Sequence, residues 1–312
     1  MLYDVHRKCW SDEHLAAFSI DRKQLPDIAD ATAIAGEITP HGADLSGLLP
    51  GTRVIVGTGD DFSGAVGAGI VAPGRISCSI GTAEVVGAIS DTAILDEGDL
   101  IETHGFPGGR YFLENPGWLG GGAVSWFCST FGITSAADMS ALAGNAATGS
   151  DDLLFLPALS GAMAPRWVSS ARGAFYGLTA GHGRAECARA VLEGCAFAMR
   201  DESTRLTEML GPSPEIRLSG GGSQSDIWAS IRADVSEMPI EVVTNPDSAP
   251  LGAAVFALMS IPGAPSIEEL AAKINPVARV VEPNPETTSR YNDCYARYRK
   301  LFDSLSPMFE EE

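Results

Sequence analysis

Lysine is scarce in this 312-residue sequence: Lys8, Lys23, Lys273 and Lys300 are the whole complement, and none stands in a glycine-rich cluster. A Walker-type phosphate loop needs lysine inside the loop, so that device is excluded. The six cysteines are scattered without a C-x-x-C pair. In a chain of this size they predict reduced, mostly buried thiols and no disulfide framework. The five histidines show no metal-ligand spacing, so a metal site built by the protein from His and Cys is not expected. No apolar run reaches the ~20 residues that span a bilayer. Met1 to Trp10 is polar and charged, unlike a signal peptide. Together these predict a cytoplasmic protein without membrane contact. The net charge of -19 repels nucleic acid phosphates and anionic lipid, which argues against both as partners.

Apolar residues are plentiful, at 45% against 20% charged, enough for a substantial globular core. Glycine is abundant, with 35 residues falling in short clusters, which predicts tight turns and close backbone approaches. An acidic protein of this kind binds phosphate through backbone N–H groups, hydroxyls or a metal ion rather than through cationic side chains.

Ser11 and Asp12 can cap a short helix running to Phe18. Arg53 to Val56 is a short β-branched run, predicted as a buried strand, and ends in Gly57-Thr58-Gly59-Asp60-Asp61. The small residues of Phe62 to Val71 suit a helix packed closely on a neighbour, and Pro73-Gly74 reads as a hinge. Ile76 to Ile80 and Glu84 to Ile89 form a predicted hairpin. Tyr111 to Leu113 is a further strand, and Gly120 to Gly122 opens a helix over Ala123 to Thr130. Residues 157–177 read as loop. Glu186 to Leu210 is the best helix, with Val191, Leu192, Cys195, Met199 and Leu206 spaced for one face. Strand Ile216 to Leu218, helix Ser225 to Ser236, strand Ile240 to Val243 and helix Leu251 to Met259 then alternate. That alternation predicts an α/β layered fold.

Four clusters can carry chemistry. Asp60 and Asp61, after a strand and beside glycines, can reach a cleft as general base or Mg²⁺ ligand; as a cap for the following helix they are equally familiar, and spacing alone favours the cap. Ser79 to Thr82 can offer N–H and O–H groups to phosphate oxygens or be an ordinary turn. Ser219-Gly220-Gly221-Gly222-Ser223, between strand and helix, can aim N–H groups at an anion or simply turn the chain. Leu251 to Ala254 allows close packing. His182 is predicted as a capping or core residue, and Glu193 as the partner of Arg189 or Arg200. Trp118, Trp126, Trp167 and Trp228 are predicted to pack.

The order of these clusters resembles the FGGY carbohydrate kinases, most closely the xylulokinases among them. Val54 to Gly69 (VIVGTGDDFSGAVGAG) is similar to that family's catalytic-Asp strand and helix. Ile76 to Thr82 (ISCSIGT) is similar to its second phosphate hairpin. Gly173 to Glu193 resembles its signature stretch, with Cys187 at a usually aliphatic place. Leu218 to Trp228 (LSGGGSQSDIW) and Pro250 to Ala254 (PLGAA) complete the pattern.

The resemblance implies an actin-like, ribonuclease-H-like fold of two domains. Residues 1–72 would be a remnant of the N-terminal sugar-binding domain, and residues 73–312 the C-terminal nucleotide-binding domain. It implies ATP-dependent phosphorylation of a sugar or polyol hydroxyl, with a ketopentose such as xylulose favoured. ATP and Mg²⁺ are the implied cofactors. Asp60 would be the general base and Asp61 a sugar contact. Gly81 and Thr82 would hold the β- and γ-phosphates, Gly121 would lie near them, and Gly221 and Gly222 would face the ribose and α-phosphate. The sequence departs from the family in three places. It shows no Asp-x-Gly-Thr loop, Asp61 replaces the usual Asn or Gln, and Gly161-Ala162-Met163-Ala164-Pro165 replaces Gly-Glu-Arg-x-Pro. A fragment that binds nucleotide without transfer is the alternative. The partners to be expected are a homodimer mate or another chain supplying the N-terminal half.

Overall fold

The structure, a computed structural model, describes residues 2–115, 117 and 119–309; Trp118 lies outside the described residues. Its centre is a seven-stranded mixed sheet. In chain order the strands are β1 (Ile76–Ile80), β2 (Glu84–Ser90), β3 (Glu102–Gly105), β4 (Tyr111–Asn115), β5 (Ile216–Ser219), β6 (Ile240–Val243) and β7 (Val277–Val281). Across the sheet they lie β7-β6-β5-β1-β2-β4-β3. Strands β1, β5 and β6 are mutually parallel, and the β1–β2 hairpin closes with Ile80 opposite Glu84. The carboxyl ends of the three parallel strands therefore open on one side, the usual place for a ligand in such sheets.

Helices α1 (Asp60–Gly67), α2 (Gly120–Phe131), α3 (Ala136–Ala143), α4 (Arg184–Leu210), α5 (Asp226–Ser236), α6 (Ser248–Met259), α7 (Ile267–Ile274) and α8 (Pro285–Phe309) cover the sheet. The five apolar residues predicted to mark one face of α4 are all buried, but so is every residue from Ala190 to Met199. Helix α4 is enclosed, not amphipathic, because α2, α3, α5 and the strand Leu154–Leu156 surround it. Small side chains such as Ala190, Gly194, Ala196 and Ala198 make that enclosure feasible.

Helix α8 lies beyond the predicted elements, although Tyr291, Cys294, Tyr298, Leu301 and Phe302 are all buried and recur at helical spacing. Strand β3 also went unmarked, because Glu102-Thr103-His104-Gly105 has no apolar alternation.

Two expectations are corrected. Arg53–Ile55 is a strand, but it pairs only with Ile34–Glu37 in a separate two-stranded ribbon. Val54 is 40% exposed and Val56 47% exposed, since no second layer covers the ribbon among the described residues. Trp167 does not pack; it is 47% exposed, whereas Trp228 is buried and donates its indole N–H to Leu192 O at 3.0 Å.

Helices α1 and α6 meet through glycine. A Cβ on Gly67 would lie 1.8 Å from Ser248 O, and one on Gly252 would lie 1.8 Å from Ser63 O. Only hydrogen fits at either place, so the small-residue runs read from the sequence serve backbone-to-backbone packing. The carboxyl end of α1 is held from the sheet side as well. Arg217 Nη1 donates to Ala68 O at 3.1 Å, and Arg110 Nη1 donates to Val71 O at 2.7 Å. Helix α1 is thus fixed along its length and at its end, which sets where its first turn points.

Candidate active site

Two cavities open at the carboxyl ends of β1, β5 and β6. The first, of about 690 Å³, runs between α2, α3 and the start of α5, and is lined among others by Gly121, Ser125, Ser140, Gly222, Gln224 and Ile227. The second, of about 540 Å³, contains Asp60, Asp61, Ser79, Asp247 and Ser248. Both are walled by Gly81, Thr82 and Gly221. The hairpin after β1 and the turn after β5 are therefore the rim between a mostly apolar slot and an acidic pocket.

Sequence proximity does not bring these groups together; the sheet does. Parallel pairing puts Ser219 opposite Ser79, so the two glycine-rich turns leave adjacent strands side by side. The turns differ in detail. Gly81 O accepts the Gly121 N–H at 3.0 Å, and Thr82 O accepts the Gly122 N–H at 2.9 Å. A Cβ at Gly121 would stand 2.3 Å from Gly81 O, so Gly121 braces the hairpin from behind and spends its N–H there. A Cβ at Gly221 meets nothing within 4 Å, whereas one at Gly222 would lie 2.4 Å from Ile80 Cγ2. Gly221 faces open space and Gly222 packs on the strand. The turn runs on as a short 3-10 segment, Gly221–Gln224, and α5 starts only after Ser225, whose hydroxyl accepts the Trp228 N–H. An anion at Gly221 would meet turn N–H groups, not the end of the α-helix as the sequence suggested.

Asp60 and Asp61 occupy the first two positions of α1, and the N-cap is Gly59, which makes no side-chain cap hydrogen bond. Neither carboxylate is the N-cap acceptor favoured by spacing, but both stand in the first turn of α1, where negative charge suits the helix end. Asp60 is exposed, and Asp61 is half-buried. Burial, and next the charge of Asp60, raise the Asp61 pKa, with His104 acting in the opposite sense.

Behind them lies a group not foreseen from the sequence. Pairing of β3 with β4 sets Glu102 opposite Glu114. His104 Nε2 is 3.3 Å from Glu102 Oε2 and 3.4 Å from Glu114 Oε1. Phe62 of α1 packs its ring on His104, with centroids 5.3 Å apart. Glu114 Oε2 is buried without a hydrogen-bond partner among the described residues. Burial first, then the charges of Asp61, Glu102 and Asp60, push the Glu114 pKa up to about 8.

A raised acid pKa means the native state holds a proton that the unfolded chain releases, so native stability falls as pH rises between about 4.5 and about 8. Glu114→Gln is expected to be more stable than the parent at pH 8 and equal to it below pH 4.5, as denaturant melts at several pH values will show. Equal stability of the two at every pH would mean that Glu114 is not held protonated.

The remaining predicted residues fall outside these cavities. Glu193 pairs with Arg189 at 2.8 Å and accepts from Gly149 N–H and Ser150 Oγ. His182 neither caps α4 nor enters the core; its Nδ1 accepts the Thr179 N–H, and its Nε2 lies 3.0 Å from Asp151 O. The cysteines are all free, and Cys9 is exposed.

The model of the FGGY family of carbohydrate kinases, C-terminal domain, matches residues 76–261. The N-terminal domain model of the same family matches residues 1–67. The chain belongs to the FGGY family of carbohydrate kinases. It is 30% identical over 312 residues to a xylulose kinase of Escherichia coli (strain K12), covering 99% of this chain and 64% of that protein. It is 32% identical over 283 residues to a glycerol kinase of Bordetella parapertussis, covering 88% and 54%. The crystal structure of ligand-bound xylulose kinase from Lactobacillus acidophilus superposes with a TM-score of 0.90 at 26% identity, over 99% of this chain and 63% of that one. The chain thus spans under two thirds of the length of these relatives. The α/β family fold expected from the motifs is present, with the cavities on the side of the sheet that those motifs share.

Among the described residues no group of three or more His, Cys, Asp or Glu stands ready to hold a metal ion. The acidic pocket does offer oxygen donors from Asp60, Asp61, Asp247, Ser79 and Ser248. That set fits Mg²⁺, which binds through one or two carboxylates together with substrate phosphates and water. No helix among the described residues is long and apolar enough to cross a membrane.

Proposed function

We propose that this chain carries the nucleotide site and the catalytic base of a kinase that transfers the γ-phosphoryl group of ATP to a sugar or polyol hydroxyl, a ketopentose such as xylulose being the favoured acceptor. The observation that carries the reading is the common rim of Gly81, Thr82 and Gly221 between the two cavities. A nucleotide in the larger cavity has its phosphates at that rim, and Asp60 stands across it. Asp60 takes the proton from the acceptor hydroxyl as its oxygen attacks the γ-phosphorus in line. Thr82 and the turn N–H groups orient the phosphoryl oxygens. Mg²⁺, when bound beside Asp60, Asp61 or Asp247, supplies positive charge for the phosphates in a pocket without lysine. Asp61, half-buried beside the base, contacts the acceptor. Residues 1–72 act as the sugar-side unit and residues 73–312 as the nucleotide unit, with α1 of the first packed directly on α6 of the second. The kinases of xylulose, glycerol and gluconate among the similar proteins support the acceptor class.

A second reading is a nucleotide-binding fragment that needs a separate N-terminal half. It is favoured by exposed apolar side chains in and beside the ribbon, with Leu45 and Leu49 both 77% exposed and Ile34 51% exposed. Purified chain given Mg-ATP and a panel of ketopentoses and polyols separates the two. Acceptor-dependent ADP release supports the first reading. Calorimetric Mg-ADP binding without release supports the second. No nucleotide binding removes both.

A further inference from the structure

Helix α1 contains two glycines, Gly64 and Gly67, and they answer to different needs. Gly67 is dictated by packing, since a Cβ there would lie 1.8 Å from Ser248 O. Gly64 is not. It is buried and its φ lies outside the left-handed region. A Cβ at this position would meet nothing within 4 Å. Glycine inside a helix lowers stability relative to alanine, because it loses more backbone freedom on folding. Alanine would fit at 64 and would favour the helix, so neither backbone conformation nor packing accounts for glycine there.

The open space beside Gly64 is the acidic pocket. Gly64 lines the same cavity of about 540 Å³ as Asp60, Asp61 and Thr82. Residues four apart share a helix face, with Cβ atoms about 5–6 Å apart. Helical side chains also lean toward the N-terminal turn. A side chain at 64 would therefore lean toward Asp60, inside the cavity.

As proposed above, Asp60 takes the acceptor proton while Thr82 orients the phosphoryl oxygens; the inference rests on that reading. The reacting hydroxyl then sits at Asp60, and the carbons that carry it need room within reach of position 64. A three-carbon polyol brings little bulk beyond its hydroxyls. A five-carbon ketose brings a longer, substituted skeleton. We infer that Gly64 is a specificity-determining residue, whose lack of a side chain makes the room beside Asp60 for acceptors longer than three carbons.

The test is steady-state ADP release by the 312-residue chain with Mg-ATP and either xylulose or glycerol, in the parent, Gly64→Ala and Gly64→Leu. Gly64→Ala is expected to lower kcat/KM for xylulose about tenfold, and Gly64→Leu about 100-fold, the range for one or more misplaced methylenes in a pocket. In Gly64→Ala, kcat/KM for glycerol is expected to stay within about threefold of the parent and the calorimetric Mg-ADP dissociation constant within about twofold. Where the parent turns over xylulose alone, the split between acceptor and Mg-ADP decides. Parental kcat/KM for xylulose in both variants overturns the inference and leaves the kinase reading standing. So does an equal loss of Mg-ADP affinity in Gly64→Ala, which would give the space to the phosphates. A melting midpoint lowered in Gly64→Ala would return Gly64 to packing and overturn the inference as well. A parent that releases no ADP with any acceptor overturns the transfer reading and the inference with it.

Discussion

Asp60→Asn lowers acceptor-dependent ADP release by about 10²–10⁴-fold, the usual contribution of a general base, while the Mg-ADP dissociation constant stays within about twofold. Asparagine keeps the size and polarity of the side chain; it loses the capacity to take a proton and the negative charge in the first turn of α1. The position makes this a clean comparison. Asp60 is exposed, and Gly59 rather than Asp60 caps α1, so the substitution removes no structural hydrogen bond that supports the helix. Steady-state rates with the best acceptor, in the chain alone or supplemented with an N-terminal half, give the first number, and calorimetry gives the second. Undiminished turnover would take the base role away from Asp60. Equal loss of turnover and of nucleotide affinity would mean that the carboxylate acts on Mg-nucleotide binding and not on the acceptor proton.

Arg232→Leu is expected to cost about 3–5 kcal/mol of stability, the range found when one partner of a buried ion pair is removed. Arg232 is 0% exposed and Glu84 2%. Arg232 Nη1 and Nη2 reach Glu84 Oε1 and Oε2 at 2.5 and 2.6 Å, a bidentate pair. Nη1 also lies 3.0 Å from Met199 Sδ, and the guanidinium stands over the Trp228 ring at 4.6 Å. Burial by itself depresses the Arg232 pKa, and the facing carboxylate overrides it and raises it. The single variant therefore leaves Glu84 buried without its counter-charge beneath Gly120, where even a Cβ would stand 2.6 Å from Glu84 Oε2.

Urea unfolding midpoints at neutral pH measure the loss. The double variant Glu84→Leu with Arg232→Leu should recover most of it, since removing both charges removes the desolvation problem. A single variant within about 1 kcal/mol of the parent would show that the pair contributes little beyond packing. The pair also links the two glycine-rich turns, because Glu84 opens the strand that leaves the Gly81-Thr82 turn and Arg232 lies on the helix that follows Gly221. Weakened nucleotide binding is expected to accompany the loss of stability.

Much of the fold was legible because it is written in local pattern. The hairpin Ile76 to Ser90 shows as two short strand-like segments joined at Gly81-Thr82-Ala83, and the alternation after residue 210 shows as strand, glycine turn and helix. The gaps have physical causes too. Helix α4 reads as amphipathic because alanine and glycine count weakly in a hydrophobic pattern, yet they are what lets other elements close over it. The ribbon strand Arg53–Ile55 reads as buried because composition reports affinity for a core and not whether a second layer is there.

The candidate site was legible in part. Asp60, Gly81, Thr82 and Gly221 stand out as carboxylate and glycine turns at strand ends, the positions from which backbone and side chains reach a ligand. Their division of labour was not legible. Gly121 and Gly222 look like Gly81 and Gly221 in sequence, but one braces a turn and the other packs on Ile80. The pairings of His104, Glu114, Glu84 and Arg232 carry no local signal. Their meaning arises from partners about 10 to nearly 150 positions away, brought close by strand pairing and helix packing.

The sequence by itself determined which segments could be strand, turn and helix, because backbone preference and hydrophobic spacing act over a few residues. It also determined that no lysine stands in the glycine-rich turns, so a phosphate there would be met without one. Only the tertiary structure decided that the turns after β1 and β5 stand side by side, and that Asp60 faces them. The same holds for a buried arginine finding its carboxylate. These depend on parallel pairing across the sheet and on glycine contacts between α1 and α6, and such long-range contacts are chosen by the packing of the whole chain, not by any window of it.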